Sequence, residues 1–374
     1  MKTKVAVRNI ESYQLSLIKE AVAEFLSSAN PSRLQNARTV LVKPNLLGAF
    51  PPEQAVTTHP VVVEAVIQYL LEEGKEVWLG DSAGGTANIR DIWQVTGMQE
   101  LADKYKIKLV NFASFGIQEL ALDGVELKLS KVVWSADAII NVSKYKTHGL
   151  MAYTGAVKNL YGLVPGLIKT EYHKQYPDAV SFGKMLTALY MIVRHRVAYH
   201  IMDGIVGMDG AGPSAGTPKE FGLLFGSTSA AALDYLAASF MGFPLKQVRY
   251  VKDALHAEGI IPSQIEYPLS FQDYRLSNVN RKAVWLSSSF MLQVPNGVRT
   301  VLKKVFDFYP RITDKCQACL ICVKSCPVQT IEVGGDGVPF IKTDKCIRCM
   351  CCHEMCPYRA IEVHKSLVAK LFLK

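Results

Sequence analysis

The sequence of 374 residues predicts an α/β domain, a mainly parallel sheet with helices on both faces, followed by a small cysteine-rich α+β module. Three observations predict it. Short apolar runs alternate with helical stretches through residues 1–285, the pattern of a parallel sheet covered on both sides. Four of those runs lead straight into polar or glycine-bearing segments, and parallel sheets form their sites at the carboxyl ends of strands. All nine cysteines lie between Cys316 and Cys356, and none precedes them.

The strand candidates, in order, are Val5–Val7, Thr39–Val42, Glu76–Leu79, Leu109–Phe112, Ala138–Val142, His200–Met202 and Leu223–Phe225. Helical periodicity marks 13–27, 60–73, 88–104, 184–196, 230–241 and 246–258. Residues 1–285 are one α/β domain, 286–310 a linker with amphipathic character, and 311–374 the cysteine module. The linker mixes apolar residues with Arg299, Lys303 and Lys304, and the tail from Lys365 to Lys374 does the same. Docking between domains is the preferred reading of both, and a membrane-surface helix the alternative.

The four segments after strands carry the candidate chemistry. Val42 is followed by Lys43, Pro44 and Asn45. Leu79 leads into Gly80, Asp81, Ser82 and a glycine-rich turn to Thr86. That turn can offer N–H groups to an anion, but it lacks the Lys-Ser/Thr ending of a P-loop. The third segment carries Lys144, Lys146 and His148 at alternate positions of an extended run, so the three share one face. Lys158 and Asn159 follow on a short helix, then Lys169 and His173. The fourth runs from Asp203 to Pro213 and includes Asp209. Lys43, Asn45, Asp81, Ser82, Lys144, Lys158 and Asn159 are the expected anion-binding residues. His148, Lys146 and Asp203 are the expected catalytic residues, with His148 or His173 suited to proton donation. The competing reading is a solvated basic face with aspartates serving turns.

The cysteine spacing is Cys316-x-x-Cys319-x-x-Cys322-x-x-x-Cys326-Pro327, then Cys346-x-x-Cys349-x-x-Cys352-x-x-x-Cys356-Pro357. This is the doubled bacterial ferredoxin run, in which the fourth cysteine of each half ligates the other cluster. Two [4Fe–4S] clusters are therefore expected. One takes Cys316, Cys319, Cys322 and Cys356, and the other Cys346, Cys349, Cys352 and Cys326. Cys351 has no slot in the pattern. Disulfides suit small secreted domains, and no secretory signal opens this chain. Structural zinc sites usually lack the third cysteine at this spacing. Short strands at 331–333 and 338–341 flank a Gly-Gly-Asp-Gly turn, and complete a ferredoxin-like 2[4Fe–4S] fold.

The chain carries a formal net charge of +9. Its basic residues are scattered and no nucleic-acid motif is present, so nucleic acid is not the expected partner. A redox partner protein and an anionic small molecule are. No window reaches the ~18 apolar residues of a membrane span, and the expected setting is cytoplasmic, reducing and oxygen-poor.

Taken together, Val42–Leu46 (VKPNL), Gly80–Ser82 (GDS), Lys144–His148 (KYKTH), Gly155–Gly162 (GAVKNLYG) and Asp203–Pro213 (DGIVGMDGAGP) resemble domain-of-unknown-function family 362, over residues 39–240. The resemblance implies fusion to a two-cluster ferredoxin module and an iron–sulfur protein, and leaves the chemistry open. The large domain is also distantly similar to the nickel-pincer lactate racemases, but it shows no counterpart of their histidine set, and that activity is not carried over. Three functions compete. The first is a ferredoxin-type reductase passing single electrons to an anionic substrate or cofactor in the α/β domain. The second is a non-catalytic carrier whose α/β domain docks a partner enzyme. The third is non-redox catalysis or metal handling, with the clusters structural or sensory.

Overall fold

In the computed structural model of the protein, residues 2–82, 84, 88–281 and 308–365 are described. The linker expected at 286–310 falls outside them up to residue 307, as does the tail beyond 365. Residues 308–310 belong to a strand of the cysteine module.

The large sheet contains strands β1 (Thr3–Asn9), β2 (Thr39–Lys43), β3 (Glu76–Asp81) and β4 (Lys108–Asn111). A separate hairpin, β5 (Ile117–Leu122) and β6 (Val125–Ser130), follows. The large sheet resumes with β7 (Ala138–His148), β8 (Ala152–Thr154), β9 (Val197–Asp209), β10 (Thr217–Ser227) and β11 (Ile265–Glu266). Its order is β11-β1-β10-β9-β7-β2-β3-β4, with β8 paired to β7. The run β9-β7-β2-β3-β4 is parallel throughout, and β10 is antiparallel to both its neighbours. The sheet is thus mixed but mostly parallel, as the sequence predicts.

Side-chain alternation explains why both faces are covered. Val40, Val42, Leu79, Ile140 and Val142 face one apolar core with helices Leu15–Ala29 and Pro60–Glu72. Leu41, Ile139, Met202, Leu223 and Phe225 face the other, with helices Ala179–Val193, Ala230–Phe240 and Arg249–Glu258. The helix expected over 88–104 is two, Ile89–Val95 and Met98–Tyr105. Gly97, at φ +77°, breaks it in the left-handed region.

Chain order places the site. From β2 the chain moves outward to β3 and β4, then returns to β7 on the other side of β2. The strand order therefore reverses between β2 and β7, and open α/β sheets bind ligands outside the carboxyl ends at such a point.

The cysteine module pairs β12 (Phe308–Ile312) with β15 (Ile361–Lys365), and β13 (Ile331–Val333) with β14 (Pro339–Ile341). Its helices Ile321–Lys324 and Cys351–Met355 are short. Among the described residues, no helix is long and apolar enough to cross a membrane.

Candidate functional site

At the switch point the polar residues form a buried network. The Lys43 ammonium lies 3.0 Å from Asp81 Oδ1 and donates to the Pro44 carbonyl. The second oxygen of Asp81 accepts from the Leu46 N–H at 3.0 Å. Gly162 closes over this pair, and a Cβ there would lie 2.3 Å from Asp81 Oδ1 and 2.5 Å from Lys43 Nζ. Lys146 donates to Asn45 Oδ1 (2.9 Å) and to the Val56 carbonyl (2.6 Å). Asn45 donates to Asn159 Oδ1, and Asn159 to Asn141 Oδ1.

Asn159 and Lys158 sit on the short helix Ala156–Asn159, which Asp234 anchors. Its carboxylate accepts from the N–H groups of Ala156 (2.6 Å) and Val157 (2.9 Å). No local motif announces Asp234, because it arrives from a helix far along the chain.

Lys144 and Asp203 stand apart from this network. Lys144 Nζ is 2.7 Å from Asp203 Oδ2, and both side chains are fully buried. Tyr13 OH and the N–H groups of His59 and Ile205 donate to the same carboxylate. Both oxygens of Asp203 are therefore committed. The pair braces β7 against β9 and the stacked Tyr13 and His59 rings.

His148 faces the cysteine module. Its Nδ1 accepts from the N–H groups of Leu150 and Met151, which leaves the ring proton on Nε2, and Nε2 lies 3.4 Å from Glu354 Oε1. Burial and the nearby lysines hold His148 well below the usual imidazole range, so it is neutral.

Between the two parts of the chain lies a cavity of about 100 Å³. The α/β wall includes Asn45, Asp81, Ser82, Lys158, Asn159, Tyr161, Lys169 and His173, and the module wall is Cys351, Glu354 and Met355. Gly84 packs against the module so closely that a Cβ would lie 2.7 Å from Met355 Sδ. Arg359 also donates across the interface to Gln54 Oε1 at 3.2 Å. Lys169 donates to the Ser82 carbonyl at 2.9 Å and to its hydroxyl, and burial lowers its pKa to about 8. Burial likewise lowers Lys158 and brings His173 down to about 3. Burial raises Glu354, against the pull of Lys158, His353 and Lys146.

Of the expected site residues, Asn45, Asp81, Ser82, Lys158 and Asn159 line this cavity. Lys43 and Lys146 stand directly behind it, His148 lies at the interface, and Lys144 and Asp203 form a separate brace. Cys351 and Glu354 line the cavity without a sequence signal for it, because each faces it only once the two parts of the chain meet, and Tyr161 joins them from the GAVKNLYG segment.

The cysteines line two further small cavities. Cys316, Cys319, Cys322 and Cys356 surround one, and Cys326, Cys346, Cys349 and Cys352 the other. All nine thiols are free. N–H groups of Ala318, Thr330, Arg348 and Ala360 point at Cys316, Cys326, Cys346 and Cys356 Sγ, at 3.3–3.4 Å. Ala318, Leu320 and Gln329 adopt positive φ, and so do Arg348, Met350 and Arg359, thirty positions later. Left-handed backbone costs roughly 1–2 kcal/mol per non-glycine residue, which a loop wrapped on a metal cluster offsets. Burial pushes the Cys322 thiol up to about 11, and burial with neighbouring thiolates pushes Cys352 well above its usual value. Four such thiols ionise together only around a cationic core. The donor set and backbone thus fit iron–sulfur ligation. Cys351 lies outside both cavities.

Comparison with known proteins agrees. Residues 40–239 match the family described as "Domain of unknown function (DUF362)", and residues 339–362 match "4Fe-4S binding domain". The "Thylakoid-associated protein sll1697" of Synechocystis is 32% identical over 275 residues, 73% of this chain and 83% of that protein. The lactate racemase apoprotein from Thermoanaerobacterium thermosaccharolyticum has a TM-score of 0.42 at 12% identity, covering 63% of this chain and 56% of that one. That last likeness is too slight to carry an argument.

Proposed function

The chain belongs to the DUF362 family and ends in a 4Fe–4S binding domain, and on that footing we propose a cytoplasmic iron–sulfur reductase of an anaerobic setting. In this reading Cys316, Cys319, Cys322 and Cys356 hold one [4Fe–4S] cluster, and Cys326, Cys346, Cys349 and Cys352 hold a second. When bound, the clusters supply one-electron storage. An anionic substrate or cofactor occupies the cavity between the α/β domain and the module.

One observation carries the reading. The helix Cys351–Met355 contributes Cys352 to a cysteine cavity on one side and lines the cation-rich cavity on the other. A substrate there would sit one helical turn from a cluster ligand. The pseudo-symmetric halves of the module are also unequal. Cys319 is exposed, whereas its counterpart Cys349 is buried. Electrons would enter from a redox partner protein at the exposed loop and leave through the covered half. Lys158 and Lys169 would hold the substrate, Asn45 and Asn159 would orient it, and Lys146 and His148 would support the field behind it.

A second reading, a non-catalytic carrier, draws on the exposed apolar residues Val333, Val338, Phe340 and Tyr358 of the module. Such a surface fits docking, and the relative's description as thylakoid-associated fits work beside a membrane surface.

The test is anaerobic purification, iron and sulfide analysis, and mass spectrometry of small molecules released on denaturation. About eight irons are expected for two cubanes, with an anionic molecule that oxidises the reduced protein. Eight irons without any such oxidant favours the carrier. Zinc in place of iron overturns both.

A further inference from the structure

We infer that the cavity beneath Cys351–Met355 is a seat for a small dianionic oxyanion, a dicarboxylate or a phosphate, with Lys158 as its principal cation. The inference rests on the proposed placement of the substrate in this cavity and adds its charge and size.

The charge follows from counting. The ammonium groups of Lys43, Lys146, Lys158 and Lys169 line or border the cavity, and the carboxylates of Asp81 and Glu354 face them. Lys43 takes Asp81 directly. Lys146 bonds only to neutral oxygens of Asn45 and Val56. Among the described residues, Lys158 has no hydrogen-bond or ion-pair partner, and the carboxylate that favours its charge is that of Glu354. Lys146 and Lys158 are thus two cations with no carboxylate at ion-pair distance among the described residues. Burial presses every one of these lysines toward its neutral form. A ligand with two negative charges is the one that reverses this for all of them.

A second, independent observation points to a ligand. His173 is buried, lines the cavity, and its Nδ1 has no partner. The ring is held by stacking on Phe182 at 4.5 Å, so it does not turn away to find one. An orphaned buried nitrogen is costly unless something in the cavity completes it. The ring is neutral, and Nδ1 either accepts from a ligand hydroxyl or donates to a ligand oxygen, depending on the tautomer. Size follows from the walls. About 100 Å³ between Tyr161, Met355, Leu46 and Leu47 matches a ligand of a few heavy atoms.

The experiment is calorimetric titration of the anaerobically purified holoprotein with inorganic phosphate, malonate and acetate in low-anion buffer. One dianion should bind at least about ten-fold more tightly than acetate, and the stronger of the phosphate and malonate arms names the source. Lys158→Met should lose at least about ten-fold of that affinity and Lys158→Arg should keep most of it, both with wild-type iron content. Equal, weak binding of all three anions overturns the proposal. So does a Lys158→Met protein that binds normally but shows a shifted cluster midpoint potential, since Lys158 then serves the cluster's own charge. Dianion binding in a protein that reduces nothing would sink the reductase reading and leave the seat standing. Eight reducible irons with no anion bound would do the reverse.

Discussion

Gly162 should be the least replaceable glycine of the site. A methyl group there would lie 2.3 Å from Asp81 Oδ1, 2.5 Å from Lys43 Nζ and 2.7 Å from Lys43 Cε. The backbone of Gly162 is not in the left-handed region, so Gly162→Ala acts through this collision alone. Lys43 and Asp81 are almost wholly buried. The ion pair must separate, and breaking a buried pair costs about 3–5 kcal/mol. At about 2–4 °C per kcal/mol for a domain of 150–250 residues, the melting temperature should fall by on the order of 10 °C. Differential scanning calorimetry of the anaerobic protein reads this directly. Gly183→Ala is the control. It sits inside a helix with its nearest neighbour at 3.4 Å, and alanine there should be neutral or stabilising by up to about 1 kcal/mol. A Lys43→Met substitution should be costly alone and add little on top of Gly162→Ala, because the pair is already broken. If Gly162→Ala melts within a degree or two of wild type, the pair does not lie beneath Gly162 and the packing argument fails.

Asp203→Asn should destabilise by about 3–5 kcal/mol, because it strands the buried Lys144 ammonium. It should leave malonate or phosphate affinity unchanged, and loss of that affinity would return Asp203 to the substrate site. Cys346→Ser should lower the iron content by about half, whereas Cys351→Ala should not change it; equal losses in iron analysis would contradict the ligand partition. Lys169 faces Asp81, Lys43 and Lys158, and its pKa is lowered to about 8. The folded state gives up this proton near pH 8 and the unfolded state only near 10.5, so Lys169 opposes folding below pH 8 and its penalty fades as pH rises through that window. A bound dianion favours the protonated amine, so affinity should fall as pH rises past 8, with proton uptake on binding. A flat pH profile in calorimetry would remove Lys169 from the site.

Much of the fold was legible because its signals are local. Apolar runs such as Val40–Val42 and Ile139–Val142 are strands covered on both faces, and alternation alone distributes them between two cores. The cysteine spacing is likewise self-contained, since backbone and thiols of each loop come from one short segment. The extent of β7 was less legible. Lys144, Lys146 and His148 continue the strand to its end, fully buried, although their composition suggests a solvated segment. What keeps them in the strand is tertiary: Asp203 from β9, Asn45 from the β2 end and Glu354 from the module each receive one of them.

The site divides along the same line. Sequence pattern assembles the expected cations on one face, but it does not say which of them already has a partner. That distinction decides function here, because a lysine neutralised by a buried carboxylate is scaffold, whereas an unmatched one attracts a ligand. Lys144 and Lys158 are indistinguishable by residue type and by neighbouring apolar context, and they part only when Asp203 reaches the first and, among the described residues, no carboxylate comes within ion-pair distance of the second. Glu354 shows the same dependence from the other side. On its own segment it is one acidic residue among cluster ligands. Docked beneath Lys146, Lys158 and His148, it is, among the described residues, the only carboxylate the module contributes to the cavity wall. The contact ties the part of the chain that would hold electrons to the part that would hold the anion, through a module carboxylate that faces α/β cations.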